Sequence, residues 1–218
     1  MTWQDLNLFQ YQQLVNALKV EDEIDKTVKL VSIITGKTEN EVLSLSIADF
    51  NKEQAKLNFL AEEIEGKPVK FINVNGKRYK CIYDVRNIPA ARYVESKVYG
   101  ADLVTNIHKL AATMVIPMKK TLFGWKLDKY DASKHEEYSQ DMLEARFVDV
   151  YHSTIFFLSV FLNLIKCSED FLIQSLKQTK IPSDQIEAVQ DFLKYMDGTI
   201  PYMKLPNSII LQLKLHGK

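Results

Sequence analysis

The sequence is short of several things, and each shortage excludes a class of protein. Only 2 cysteines occur in 218 residues, Cys81 and Cys167. A disulfide-stapled scaffold needs a denser framework. The 7 glycines and 6 prolines are far too few for a collagen-like or low-complexity chain. Net charge is also missing, because 28 Lys+Arg face 28 Asp+Glu. A chain that coats nucleic acid is normally basic, and a disordered one is normally charged or poor in apolar residues. No basic stretch followed by an apolar one comes after Met1, so no secretory leader is read and synthesis in the cytoplasm is expected. The strongest apolar run, Ser153 to Ile165, falls short of the roughly 20 residues that span a bilayer. It reads as a buried core helix, and no membrane association is expected.

Catalytic signatures are missing as well. There is no Gly-x-Ser-x-Gly elbow, and neither cysteine sits in a nucleophile motif. Ile33-Ile34-Thr35-Gly36-Lys37-Thr38 ends like a phosphate-binding loop, but Val31 stands where the first glycine belongs. Without that glycine the backbone N–H groups cannot close on phosphate. The four histidines, His108, His135, His152 and His216, lack the spacing of a zinc site. His135 reads as a solvated helix start, and His108 and His152 as structural. No catalytic, cofactor-binding or metal-binding residue is expected, no cofactor is expected, and the chain reads as a non-enzyme.

What is present is a hydrophobic fraction of 46%, enough to bury one large core or two small ones. Both cysteines are expected reduced and at least partly buried. Charge is separated along the chain. Residues 1–65 carry 6 Lys against 12 Asp+Glu, residues 66–100 carry 8 basic residues against 2 acidic ones, and the rest nearly balances. Three segments follow: an acidic helical one (1–66), a basic one with a hairpin and helices (67–132), and a C-terminal helical one (133–218), forming one or two compact units.

The acidic segment reads as four helices. Leu8, Tyr11, Leu14, Val15 and Leu18 hold helical spacing to near Val20. Glu21, Asp22, Glu23 and Asp25 suit the positive end of a second helix, which Gly36 stops. Thr38 to Glu41 fits a capping box, and Ser46 to Asp49 fits another start, for a helix ending before Gly66. The basic segment opens with Asn75-Gly76 between two β-prone runs, a type I′ hairpin signal. A two-residue loop pairs Ile72 with Tyr79 and Lys70 with Cys81. Ile72, Val74, Tyr79, Cys81 and Tyr83 then share the face expected to meet the core. Helices are expected over 89–99, 105–115, 133–145 and 149–177, with 118–132 irregular or strand-like. Pro182-Ser183 opens another helix to Met196, and 208–215 is a terminal strand or helix. The fold class is mainly α with a small β-hairpin, that is, a helical domain with an antiparallel two-stranded insertion.

Lys67, Lys70, Lys77, Arg78 and Lys80 lie close together without an acid between them. Such a ribbon can be a solvated edge that resists strand addition, a docking surface for an acidic protein, or a phosphate-contacting surface. The bases Lys70, Lys77, Arg78 and Lys80 and the acids Glu21, Asp22, Glu23 and Asp25 are the candidate contact residues. They could meet within one chain or between copies.

Several strings carry a resemblance. Thr2-Trp3-Gln4-Asp5 leads into Gln10-Tyr11-Gln12. Ile33 to Thr38 is followed by Glu41-Val42 and Leu45. Phe59-Leu60 precedes Gly76-Lys77-Arg78-Tyr79, and Asn106-Ile107-His108-Lys109-Leu110-Ala111-Ala112 precedes Pro117. Over roughly residues 1–165 the chain resembles small morphogenesis proteins encoded among the head–tail and tail genes of tailed bacteriophages. Some of these look like tail assembly chaperones and others are virion components. The resemblance implies a non-enzymatic virion structural or assembly protein of the neck or tail, assembled in the host cytoplasm. Its partners would be other phage structural proteins and further copies of itself, with a ring where the rotation closes. The alternatives are a soluble tail assembly chaperone for the tape-measure protein and a nucleic-acid-binding accessory protein, the latter disfavoured by the zero net charge.

Overall fold

Polar caps and apolar spacing set the first four helices. In the computed structural model, which describes residues 1–86 and 88–178, α1 (Leu8–Ala17) starts at Asn7. The Asn7 side chain accepts the Gln10 N–H at 2.8 Å, and the Gln10 side chain accepts the Asn7 N–H at 3.1 Å. This satisfies N–H groups that a helix start leaves open. Asp22 caps α2 (Glu23–Thr35), accepting from Ile24 and Asp25, and Gly36 ends it. Thr38 and Glu41 form the expected capping box of α3 (Glu39–Leu43). Ser46 caps α4 (Ile47–Gln54). A 3-10 turn, Ala55–Ala61, then buries Phe59 and Leu60.

The expected hairpin is the first half of a larger sheet. Strands β1 (Phe71–Val74), β2 (Lys77–Cys81), β3 (Val115–Thr121) and β4 (Gly124–Leu127) form one antiparallel sheet in chain order. Ile72 pairs with Tyr79 as expected, and the Cys81 N–H donates to the Lys70 carbonyl at 3.1 Å. Asn75 (φ 48°) and Gly76 (φ 74°) make the turn, the left-handed pair that a type I′ loop requires. Ile72, Val74, Tyr79 and Cys81 are buried on the inward face, while Tyr83, beyond the end of β2, is only half-buried because its hydroxyl reaches out to the Val69 carbonyl at 2.6 Å.

β3 corrects the expectation that Pro117 merely stops a helix. The helix α6 (Leu103–Met114) ends one residue before β3, and Pro117 sits within that central strand opposite Tyr79. Its carbonyl accepts the Asp128 N–H at 2.9 Å. In antiparallel pairing the N–H and carbonyl of one residue point the same way. The missing N–H therefore faces Asp128, just past the end of β4, and no bond to β2 is lost.

Helices α5 (Ala90–Gly100), α7 (His135–Glu144) and α8 (Phe147–Gln178) complete the described chain. Residues from all three charge segments share one core, including Trp3, Tyr11, Phe59, Ile72, Leu110, Met142, Phe157 and Phe161. The chain start is clipped to the α7–α8 junction. The Leu8 N–H donates to the Ala145 carbonyl at 3.0 Å and the Phe147 N–H to the Leu6 carbonyl at 2.8 Å. Tyr11 stacks on Phe147 with centroids 4.1 Å apart.

The stretch Phe147–Leu164 of α8 is long and apolar enough to cross a membrane by length and composition. It outruns the apolar run counted from sequence because the helix already begins at Phe147. Its inner face, with Phe147, Val150, Phe157 and Phe161, is core. Cys81 is buried as expected, whereas Cys167 is exposed, contrary to the expectation, since it lies on α8 beyond Leu164, which still packs on the core. The expected helix at 182–196 and the segment 208–215 lie outside the described residues.

Candidate interaction surface

The four hairpin bases have different fates. Lys77 is engaged within the chain. Its ammonium lies 2.8 Å from Asp141 and 3.1 Å from Glu137, both on α7. The hydrogen bond to Asp141 and the two carboxylates hold its pKa above the usual lysine range. Asp141 is 9% exposed and also accepts a hydrogen bond from the buried Tyr79 hydroxyl. Burial, then this bond, push the Tyr79 phenol well up. Asn75 donates to Glu144 of the same helix. The acids that meet the hairpin therefore come from α7. Among the described residues, no ion pair joins it to the 21–25 cluster. Asp22 is occupied as a cap, Glu23 pairs with Lys26 at 2.7 Å, and Glu21 and Asp25 are exposed.

Arg78 lies on the opposite, outward face. Its guanidinium sits over Phe71 at 4.1 Å and over Trp125 at 5.9 Å, bridging β1 to β4. Cation–π contact of this kind suits arginine, whose guanidinium is only weakly hydrated. Lys80 and Ile116 pair beside it, Met118 pairs with Leu127, and Lys120 pairs with Trp125. The outward face is thus basic and apolar in alternation. Lys70 is exposed next to Phe71 and Lys80 is half-buried. An open groove of about 320 Å³ runs past Lys77, Pro117, Lys120, Trp125, Lys134 and Glu137.

The most exposed feature falls in the stretch read as irregular or strand-like, 118–132, where the sequence did not show a hairpin tip. From Lys119 to Gly124 every residue is exposed, so the end of the β3–β4 hairpin stands in water on both faces. Leu122 is 99% exposed and Phe123 101%. Lys119, Lys120, Lys126 and Lys129 surround them, against Asp128 alone. Lys119 and Lys126 are directly opposed, an arrangement that costs roughly 0.2–1 kcal/mol. Asp128 offsets it in part, pairing with Lys119 at 2.9 Å. The readable signal was Leu-Phe-Gly between lysine-bearing, β-prone flanks; Pro117 obscured it.

Three of the four histidines, His108, His135 and His152, lie within the described residues, and His135 is not a solvated helix start. Its ring stacks on Tyr99 and its Nε2 lies 3.1 Å from the Lys109 carbonyl and 3.2 Å from the Thr113 hydroxyl. Gln12 Nε2 lies 3.2 Å from His108 Nδ1, and burial lowers the His108 pKa. His152 is half-buried against Gly66, and burial lowers its pKa too. Among the described residues, no cluster of His, Cys, Asp or Glu could hold a metal. Arg92 is buried on α5, donates to the Val115 carbonyl at 3.1 Å and stacks on Tyr130 at 3.7 Å. It ties α5 to the start of β3. Comparison with family models, curated proteins and solved structures finds no match for the chain.

Proposed function

We propose that this chain is a non-enzymatic assembly protein that acts through protein–protein contacts, as a structural component of a tailed-phage particle in its neck or tail region. The observation that carries the contact reading is the β3–β4 tip, where Leu122 and Phe123 are fully exposed. Soluble proteins keep adjoining apolar side chains in water chiefly where they bind something. The basic, aromatic outer sheet face beside the tip supports the same reading. The phage setting is supported by the sequence resemblance alone.

Two experiments test it. Mass spectrometry of purified virions should find the chain at stoichiometric copy number. Its absence would overturn the structural role in favour of the chaperone alternative. Charge reversal belongs at Lys70 and Lys80, because Lys77 is committed to α7. K70E/K80E should weaken assembly most at low salt, since exposed charges are screened as salt rises. Assembly indifferent to both the variant and the salt would remove the sheet face from the contact. A nucleic-acid role would use the same face, but Arg78 already covers Phe71 and Trp125, where bases would stack.

A further inference from the structure

We propose that the β3–β4 tip of one copy docks on the α3–α4 corner of a second copy, head to tail. This rests on the contact reading above and names the partner. The tip offers Leu122 and Phe123 ringed by Lys119, Lys120, Lys126 and Lys129. The corner offers the complement. Leu43 at the end of α3 is 65% exposed and Ile47 at the start of α4 is 82% exposed. Around them Glu39, Glu41 and Asp49 occur with no base between residues 38 and 49, Lys37 and Lys52 standing at the borders. Apolar side chains thus face apolar ones, and lysines face carboxylates.

The two surfaces do not meet inside one chain, because the tip residues are wholly exposed. Each copy carries both halves of an unlike pair. Such a contact is heterologous and generates a ring when the rotation closes, and a filament when it does not. An anionic membrane would also suit the tip. It leaves the exposed apolar and acidic corner without a role, and that corner decides for a second copy.

The test uses the full chain and light scattering after size exclusion. The wild type should gain mass with concentration and lose it as salt rises. L122S/F123S and L43S/I47S alter exposed positions, so circular dichroism should be unchanged. Each variant alone should be monomeric. An equimolar mixture should give a one-to-one dimer and nothing larger, since one intact tip and one intact corner remain. Should L43S/I47S disturb the helices, E39K leaves both N-caps in place and should weaken association of the otherwise native chain.

A wild type that is monomeric at every concentration and at low salt would overturn the proposal. So would a wild type that associates while the mixture of variants does not, which would indicate contact between like surfaces. Tip-dependent binding of a monomer to phosphatidylserine-containing vesicles would assign the tip to membranes instead. A monomeric chain that is nonetheless present in virions would sink this inference and leave the contact reading standing. A self-associating chain absent from virions would keep this inference and overturn the structural role in the particle.

Discussion

His152 and Gly66 show how one residue constrains another. A Cβ on Gly66 would lie 2.4 Å from His152 Cδ2 and 2.6 Å from Nε2. Gly66→Ala must therefore push a ring held between α8 and the chain leading into the sheet. It should cost about 1–3 kcal/mol, as overpacking does, read as a lower urea midpoint. His152 also carries a pH dependence. Burial lowers its pKa, although Asp149 and the backbone at Ile64 and Glu65 favour the charged form. His108 is lowered for the same first reason. The unfolded chain then binds protons more tightly than the folded one. Stability should be full above the ordinary histidine value of about 6.5 and fall as pH drops below it. Urea midpoints between neutral pH and about pH 5 measure this. H108Q/H152Q should flatten the slope; an unchanged slope would contradict the assignment.

At the scale of elements, α7 anchors the β1–β2 hairpin through one buried carboxylate. Asp141→Ala would leave the Tyr79 hydroxyl unpaired in the core, at a cost of about 1–3 kcal/mol. Breaking the exposed Lys77–Glu137 pair alone should cost only about 0–1 kcal/mol. Denaturant titration of D141A beside E137Q gives the order, and equal effects would contradict it. Much of this layer was legible in the sequence. Thr38 with Glu41, Asp22 before its helix, and Asn75-Gly76 act locally, and each is found where its chemistry placed it. The α7 carboxylates were not legible, because Glu137 and Asp141 reach Lys77 across some sixty residues. The second hairpin was half legible: 118–132 read as irregular or strand-like, but Pro117, which usually ends an element, hid the start of β3 and its pairing with β2. Here the proline's missing N–H faces Asp128, just past the end of β4, so no bond to β2 is lost.

At the scale of the molecule, the zero net charge is a sum of separated surfaces. The acidic helices and the basic sheet share one core, yet the hairpin takes its cis carboxylates from α7. The acidic corner at α3–α4 and the lysine-flanked tip are thereby left facing outward. The sequence identified the charged segments but not the apolar residues that would turn charge complementarity into a contact. Leu43, Ile47, Leu122 and Phe123 look like core residues until the fold shows them in water. The most direct measurement is sedimentation velocity of the intact chain beside L122S/F123S at low and high salt. Association that is lost in the variant and weakened by salt is expected. A variant that sediments like the wild type under both conditions would contradict the tip as the contact.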